Sequence, residues 1–270
     1  MADRSSVDVV ESYTAALPIN TIAAILGLPE DRWDWLRASS AQIGQMLEAL
    51  DSFDPSEMSR TFDDLRSTFT DLIAERRAHP RDDLISALVA DESELDDDEV
   101  ISMISVLMFA GHETTTGLMG NAIVALARHP DQRTLLREEP QLIDNAVEEL
   151  TRFDTTAQFT GRNTTGPIEV GDVTIPGGAN VALMIGAANR DRRRWPDADT
   201  LRLDRPDPRP ISFGHGIHHC LGASLARLEM RVGLPTFLAA FGDYRVADND
   251  VEWKRSHTLR GPTRLIVERG

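Results

Sequence analysis

One stretch of the chain, Phe213-Gly214-His215-Gly216-Ile217-His218-His219-Cys220-Leu221-Gly222, gathers the residue types from which chemistry is most directly built. Cys220 is the single cysteine of 270 residues. It therefore forms no intrachain disulfide, and in a glycine-rich loop it can give a thiolate to a metal. Thiolate ligation is one way proteins hold haem iron, and it is the way that favours O–O cleavage. Gly214, Gly216 and Gly222 let the backbone turn tightly and approach a flat ligand closely, because no side chain intervenes. A helix-forming run, 223–230, follows. The partial positive charge and unpaired N–H groups at its start favour the thiolate over the thiol. Phe213 can shield the sulfur, and His218 can donate to an anionic group. The residues alone leave a second reading open, a buried structural cysteine in a glycine-rich turn. A phosphate cradle fits worse, since no Gly-Lys-Ser/Thr follows.

A second group, Ala110-Gly111-His112-Glu113-Thr114-Thr115-Thr116, stands inside a long apolar helical pattern. Glycine and three consecutive threonines are poor helix formers. Threonine hydroxyls can bond back to the carbonyl one turn earlier and bend the helix. A loosened helix beside a cofactor leaves a groove for dioxygen, with a hydroxyl and a carboxylate to pass protons. The plainer reading is a kink with locally satisfied threonines.

A third group is Glu149 and Arg152, three apart on one helix face. On a surface such a pair stabilises by only a few tenths of a kcal/mol, roughly. Arg162, after Gln158-Phe159-Thr160-Gly161, can pair a carboxylate in bidentate fashion or stand exposed. Arg190, Arg192, Arg193 and Arg194 form a basic run that either docks an acidic partner or is simply solvated.

The elements that must position these groups are mostly helices in the first half. Helical spacing predicts 7–26, interrupted at Pro18, a break at Leu26-Gly27-Leu28-Pro29, and helices over 33–50, 57–78 and 82–89. The acidic run 91–99 contains a capping box, Asp96 with Glu99. The helix it opens is expected to run to Arg128 and stop before His129-Pro130, with all-round burial at 107–110. A further helix is predicted at 139–153, short strands at 168–170, 173–175 and 180–185, and an ordered loop at 190–210. Helix 223–241 and strands 244–246 and 264–268 close the chain.

Composition sets outer bounds. A hydrophobic content of 41% is that of an ordinary globular chain, and a net charge of −16 argues against non-specific nucleic-acid binding. No apolar stretch is long enough to span a bilayer, and the polar start Met-Ala-Asp-Arg-Ser-Ser lacks a signal-peptide core. A cytoplasmic protein is the expectation.

The pattern Phe-Gly-x-Gly-x-His-x-Cys-x-Gly resembles the haem-ligand signature of the cytochrome P-450 family at every fixed position. The continuation 221–229 resembles its bacterial soluble members. The group at 110–116 resembles the family's oxygen-activation motif, and Glu149 with Arg152 its Glu-x-x-Arg helix, joined by Asn189-Arg190-Asp191 and Trp195-Pro196-Asp197. The resemblance implies a mainly α fold with a minor β component, a long central helix over the haem and the Cys-ligand loop beneath it. It implies a single domain over 1–270, helical over 1–159, with short strands and a long loop over 160–210 and the ligand loop, helix and terminal strands over 211–270. The family's N-terminal third has no counterpart here, so uncovered apolar surface and self-association are expected.

By the same resemblance, heme b (iron protoporphyrin IX) takes Cys220 as metal ligand. Arg162 and His218 meet its propionates, and Phe213, Gly214, Gly222, Ala110 and Gly111 line it. Thr114 would hydrogen-bond dioxygen, Glu113 would help deliver protons, and Gly111 would leave room for O2. Glu149 and Arg152 are structural. Leu107, Ala110, Gly111, 157–159 and Leu259 face the substrate pocket, and Thr156 stands where bacterial relatives often carry proline. The implied reaction is monooxygenation of a hydrophobic small molecule. Its electrons would come from NAD(P)H through a reductase and a ferredoxin-type donor, with no nucleic acid and no membrane involved. Two alternatives stand beside it: a haem-binding but inactive fragment, and a non-haem metal or thiol protein built on His215, His218, His219 and Cys220.

Overall fold

The structure is a computed structural model that describes residues 6–48, 54–90 and 94–270. The polar residues 1–5, the end of the helix expected to reach 50, and the start of the acidic run at 91–93 lie outside the described residues. The chain divides into two compact units, Asp8–Thr116, and Met1–Val7 with Gly117–Gly270.

Strand β1 (Ser6–Asp8) comes first, and a π-helical turn, Val10–Thr14, leads into α1 (Ala16–Ile25). The expected interruption at Pro18 does not occur. Pro18 lies in the first turn of α1, where a missing N–H leaves no intrahelical bond unmade. Gly27 ends the segment at φ +71°, and a Cβ there would stand 2.2 Å from Asp83 Oδ2. After Pro29 a short turn opens α2 (Trp33–Glu48). Helix α3 (Pro55–Ala78) begins two residues before the predicted start, because Asp54 accepts from the Ser56 N–H at 2.8 Å and Pro55 fits the first turn. Asp83 caps α4 (Leu84–Leu88) in the same way. Trp35 of α2 meets Phe69 of α3 edge-on at 6.0 Å and donates to Asp64 at 2.7 Å. Arg76, buried on α3, bonds Asp83 at 2.5 Å and the Gly27 carbonyl at 2.8 Å, so it ties the ends of α1, α3 and α4 together.

Helix α5 (Asp97–Arg128) begins with the predicted capping box. Glu99 N–H donates to Asp96 at 2.9 Å, and Asp96 N–H to Glu99 at 3.0 Å. All-round burial at 107–110 is not found. In the first half only the stripe Val100, Ile104 and Met108 is fully buried, while Val106 and Ala110 are exposed. Unbroken burial begins later, at Thr115, and runs to Leu126.

In the other unit, α6 (Pro130–Glu138) follows at once, a helix that the sequence pattern does not predict. Pro140–Leu142 forms a separate turn, so α7 (Ile143–Phe153) starts later than predicted. Strands β2 (Thr160–Asn163), β3 (Ile168–Val170), β4 (Val173–Ile175) and β5 (Asn180–Leu183) form two antiparallel pairs, β2 with β5 and β3 with β4. Helix α8 (Ile185–Ala188) replaces the end of the strand expected to reach 185. Residues 190–210 hold no helix or strand, as expected. Helix α9 (Ala223–Phe241) has its predicted bounds. Strands β6 (Tyr244–Arg245), β7 (Val251–Trp253) and β8 (Pro262–Arg269) follow; the sheet runs β1-β8-β6, and β7, which was not foreseen, pairs with β8. The fold is mainly helical with a small β component placed late.

The buried half of α5 is clasped by the terminal segment. Tyr244 Oη donates to the Ile123 carbonyl at 2.8 Å, and Asn121 donates to the carbonyls of Asp154 and Arg260 at 3.1 Å. A Cβ on Gly117 would lie 2.8 Å from Thr156 Cγ2, and one on Gly261 would lie 2.7 Å from Gly117 Cα. The two backbones touch where both residues lack a side chain.

Candidate functional site

The cysteine loop closes on itself. The Cys220 N–H donates to the Phe213 carbonyl at 2.8 Å, Gly214 N–H to Ile211 at 2.8 Å, and His219 N–H to Gly216 at 3.0 Å. Gly214 and Gly216 take φ +71° and +72°, conformations that a side chain disfavours. A Cβ on Gly216 or Gly222 would meet nothing within 4 Å, so one side of the loop is open. Cys220 is exposed, which removes the reading of a buried structural cysteine. His218 is exposed in the short turn Gly216–His218. Ile217, beside it, is 98% exposed, an unusual place for an isoleucine.

Helix α7 holds both ends of this loop. At its start, Arg152 donates to the Asn189 carbonyl at 2.9 Å. The Asn189 side chain in turn binds Ser212 Oγ at 2.8 Å and accepts from the Ile211 N–H at 2.9 Å. Ser212 also donates to the Thr151 carbonyl at 3.0 Å. After the loop, Arg227 on α9 is paired with Glu148 and lies 4.2 Å from the centre of the Phe213 ring. Its hydrogen bond to Glu148 outweighs burial and holds the guanidinium pKa above its usual value, with a further contribution from Cys220. The Asn189 segment joins the Glu149–Arg152 pair, as the resemblance implies, whereas the Glu148–Arg227 pair as a second brace of the loop is not part of that expectation.

Glu149 and Arg152 are both fully buried, so they are not a surface pair. Arg152 makes two bonds to Glu149, at 2.7 and 2.9 Å, and others to the carbonyls of Asn189, Ala198 and Thr200. Arg205, which the sequence did not single out, completes the group. It lies 3.0 Å from both Glu149 oxygens and bonds the carbonyls of Pro196, Asp197 and Thr200. One carboxylate between two guanidiniums thus gathers the chain from 189 to 205 onto α7.

In the other unit, the group at 110–116 does not break the helix. Thr114 Oγ1 bonds the Ala110 carbonyl at 2.6 Å, as the back-bonding argument predicts. Thr115 and Thr116 are buried and Ala110 is exposed. Gly111 has a packing reason of its own: a Cβ there would stand 2.8 Å from Ile22 Cδ1 of α1. His112 is buried, with Nδ1 2.9 Å from Ser40 Oγ of α2.

Arg162 is exposed on β2, bonded to Thr160 Oγ1 at 3.1 Å and the Gly161 carbonyl at 2.7 Å. With Phe159, Asn180 and Val181 it lines a shallow groove of about 460 Å³. The stretches 156–158 and 258–260 run side by side: Gln158 N–H donates to Thr258, Arg260 N–H to Thr156, and Ala157 bridges Leu259. Two predicted pocket segments are therefore neighbours. The Thr156 hydroxyl is buried and finds no partner among the described residues.

The arginine run is occupied locally. Arg190 covers the Phe153 ring at 4.1 Å and bonds the Phe153 carbonyl, and Arg194 covers Trp195 at 4.3 Å. Arg192 pairs with Asp199 and Arg193 with Asp191. The Arg193 guanidinium holds Asp191 down at about 2. Among the described residues, no three His, Cys, Asp or Glu side chains come together as a metal-ligand set, and no helix is long and apolar enough to cross a membrane.

A family profile described as cytochrome P-450 matches residues 24–259. Cytochrome P-450 107B1 of Saccharopolyspora erythraea is 37% identical over 276 residues, covering 100% of this chain and 67% of that one. Vitamin D(3) 25-hydroxylase of Pseudonocardia autotrophica is 38% identical over 272 residues, 98% of this chain and 66% of that one. The crystal structure of P450BioI in complex with hexadec-9Z-enoic acid ligated acyl carrier protein superposes with a TM-score of 0.94 at 33% identity, over 100% of this chain and 70% of that one. The chain spans about two thirds of the length of the curated relatives it matches.

Proposed function

The chain belongs to the cytochrome P-450 family of haem-dependent oxidoreductases, and from that premise we propose that it is a haem-thiolate monooxygenase acting on a hydrophobic small molecule. One oxygen atom of O2 enters the substrate as a hydroxyl. The other leaves as water, with two protons and two electrons consumed. The electrons come from NAD(P)H through a reductase and a ferredoxin-type donor. A relative named as a hydroxylase of vitamin D(3) supports the apolar substrate class.

The observation that carries the reading is the exposed Cys220 on a self-closed glycine loop with an open side. This loop fits heme b: the sulfur is accessible, and Gly216 and Gly222 leave space where a side chain would obstruct a flat ring. When bound, a thiolate-ligated haem supplies O–O cleavage. Cys220 would be the ligand, beside Phe213 and Gly214. Arg162 and His218 would meet the propionates, one as a cation and the other as a ring donor. On α5 the family resemblance gives Ala110 and Gly111 the oxygen side, although a Cβ on Gly111 would meet Ile22 of α1. The Thr114 hydroxyl, now turned to the Ala110 carbonyl, holds a proton for dioxygen, and the Glu113 carboxyl refills it from solvent. Glu149, Arg152 and Arg205 do no chemistry; they fix the chain that leads to the loop.

The test is the reduced carbon-monoxide difference spectrum of the haem-reconstituted chain, followed by turnover with a surrogate ferredoxin system. A red-shifted Soret band of the thiolate type, lost in Cys220→Ser, with substrate-dependent NAD(P)H consumption, is the expected result. The same band without turnover would mean a haem-binding but inactive chain. No haem uptake would overturn the proposal.

A further inference from the structure

Helix α2 carries two buried residues that the proposed reaction does not use, and both face the Glu113 segment of α5. Ser40 and Gly44 are one turn apart and so share a face of α2. Ser40 Oγ lies 2.9 Å from His112 Nδ1, and both side chains are buried. The same ring nitrogen is 3.9 Å from Glu113 Oε1. Gly44 stands against the next residue: a Cβ there would be 3.4 Å from Glu113 Cδ and 3.3 Å from Phe109 Cε2. Two adjacent residues of α5 are thus set by two positions of α2. Ser40 orients the ring, and a side chain at Gly44 would press on Phe109 and on the Glu113 carboxyl and displace them by a few tenths of an ångström.

We propose that Ser40, His112 and Gly44 are positioning residues for Glu113, and that α2 thereby sets the direction in which this carboxyl presents its proton. The inference rests on the proton role given above to Glu113. Packing alone explains a glycine between two helices. It does not explain a buried serine–imidazole pair whose ring nitrogen stands beside the one carboxylate of the segment. A carboxyl displaced by a fraction of an ångström hands its proton over less well, and displacements of that size change rates several-fold.

The test uses the full chain reconstituted with haem, in the variants Ser40→Ala, Ser40→Thr, Gly44→Ala, Glu113→Gln and Thr114→Ala. The first readout is the 15N resonance of the His112 ring, which reports the Ser40 bond whether or not the protein turns over. The second is the fraction of NAD(P)H electrons lost as hydrogen peroxide. Ser40→Ala is expected to shift the ring resonance and raise the peroxide fraction several-fold with the haem spectrum unchanged. Ser40→Thr keeps the hydroxyl and is expected to restore both. Gly44→Ala is expected to raise peroxide without moving the ring resonance, and it carries the test should Ser40→Ala fail to fold. If Glu113→Gln and Thr114→Ala raise peroxide while Ser40→Ala and Gly44→Ala do not, the positioning inference is overturned and the proton role stands. If none of the four changes the peroxide fraction, the proton role fails, and the inference fails with it.

Discussion

The Glu149 cluster and the Cys220 loop lie close together in the chain's own network and are built on opposite principles. Around Glu149 and Arg152 the charges are fully buried, and each is met by a partner inside the protein. Around Cys220 the backbone is closed, but the sulfur, His218 and Ile217 face outward. A buried charge that loses its partner is costly, whereas an exposed thiol that loses its sulfur alters little in the fold. The difference separates what holds this region up from what it does, and α7 joins the two by gripping both ends of the loop.

The sharpest way to break the contrast is Arg152→Ala. It removes one of the two guanidiniums on the buried Glu149 and leaves the carbonyls of Asn189 and Ala198 without that donor, and it is expected to destabilise by about 3–5 kcal/mol, as broken buried pairs do. Urea unfolding, or failure to accumulate as folded protein, measures it. Cys220→Ser should change that unfolding free energy by less than about 0.5 kcal/mol while abolishing the thiolate–carbon monoxide band. A large stability loss in Cys220→Ser would show that the loop bears structure after all. Gly214→Ala lies between them. Its Cβ has room, the nearest atom being His218 O at 3.4 Å, but φ is +71°, so a cost of roughly 1–2 kcal/mol is expected from the backbone alone. Unfolding midpoints in the presence and absence of haem would test it.

The other unit offers a version of the same contrast that depends on pH. Burial pushes the Asp83 carboxyl up, but the Ser86 N–H and the Arg76 guanidinium prevail and hold it below 3.8. A lowered folded value means that this stabilisation is complete above the unfolded value. It is lost as pH falls through the folded one. Asp83→Asn is therefore expected to be less stable at neutral pH and to show a shallower decline below about pH 4, read by acid titration of unfolding. The smallest effect belongs to Arg192→Ala, whose partner Asp199 is also exposed; no change in the unfolding midpoint is expected.

Much of this was legible in the chain because local signals agreed. Asp96 and Glu99 announced α5, and the apolar run after Cys220 announced α9. Helix α6 escaped because its start, His129-Pro130, also reads as a stop, and its polar residues hide a short apolar face. Strand β7 is three residues long, too short for an alternating pattern to declare itself. The site divides similarly. Cys220, Thr114 and the Glu149–Arg152 pair sit in linear motifs. Arg205, Glu148 with Arg227, and Ser40 with His112 meet partners far along the chain, and no spacing rule reaches that distance.

The bare contact between Gly117 and Gly261 has a consequence for heredity. A methyl group at either position collides with the other's backbone or with Thr156, so neither codon can drift alone to alanine. The two positions are therefore expected to mutate under a shared constraint. Gly261→Ala should be rescued only by second-site changes that move α5 away from the terminal segment, and a suppressor screen would find those changes clustered at Thr156, Gly120 and Pro262.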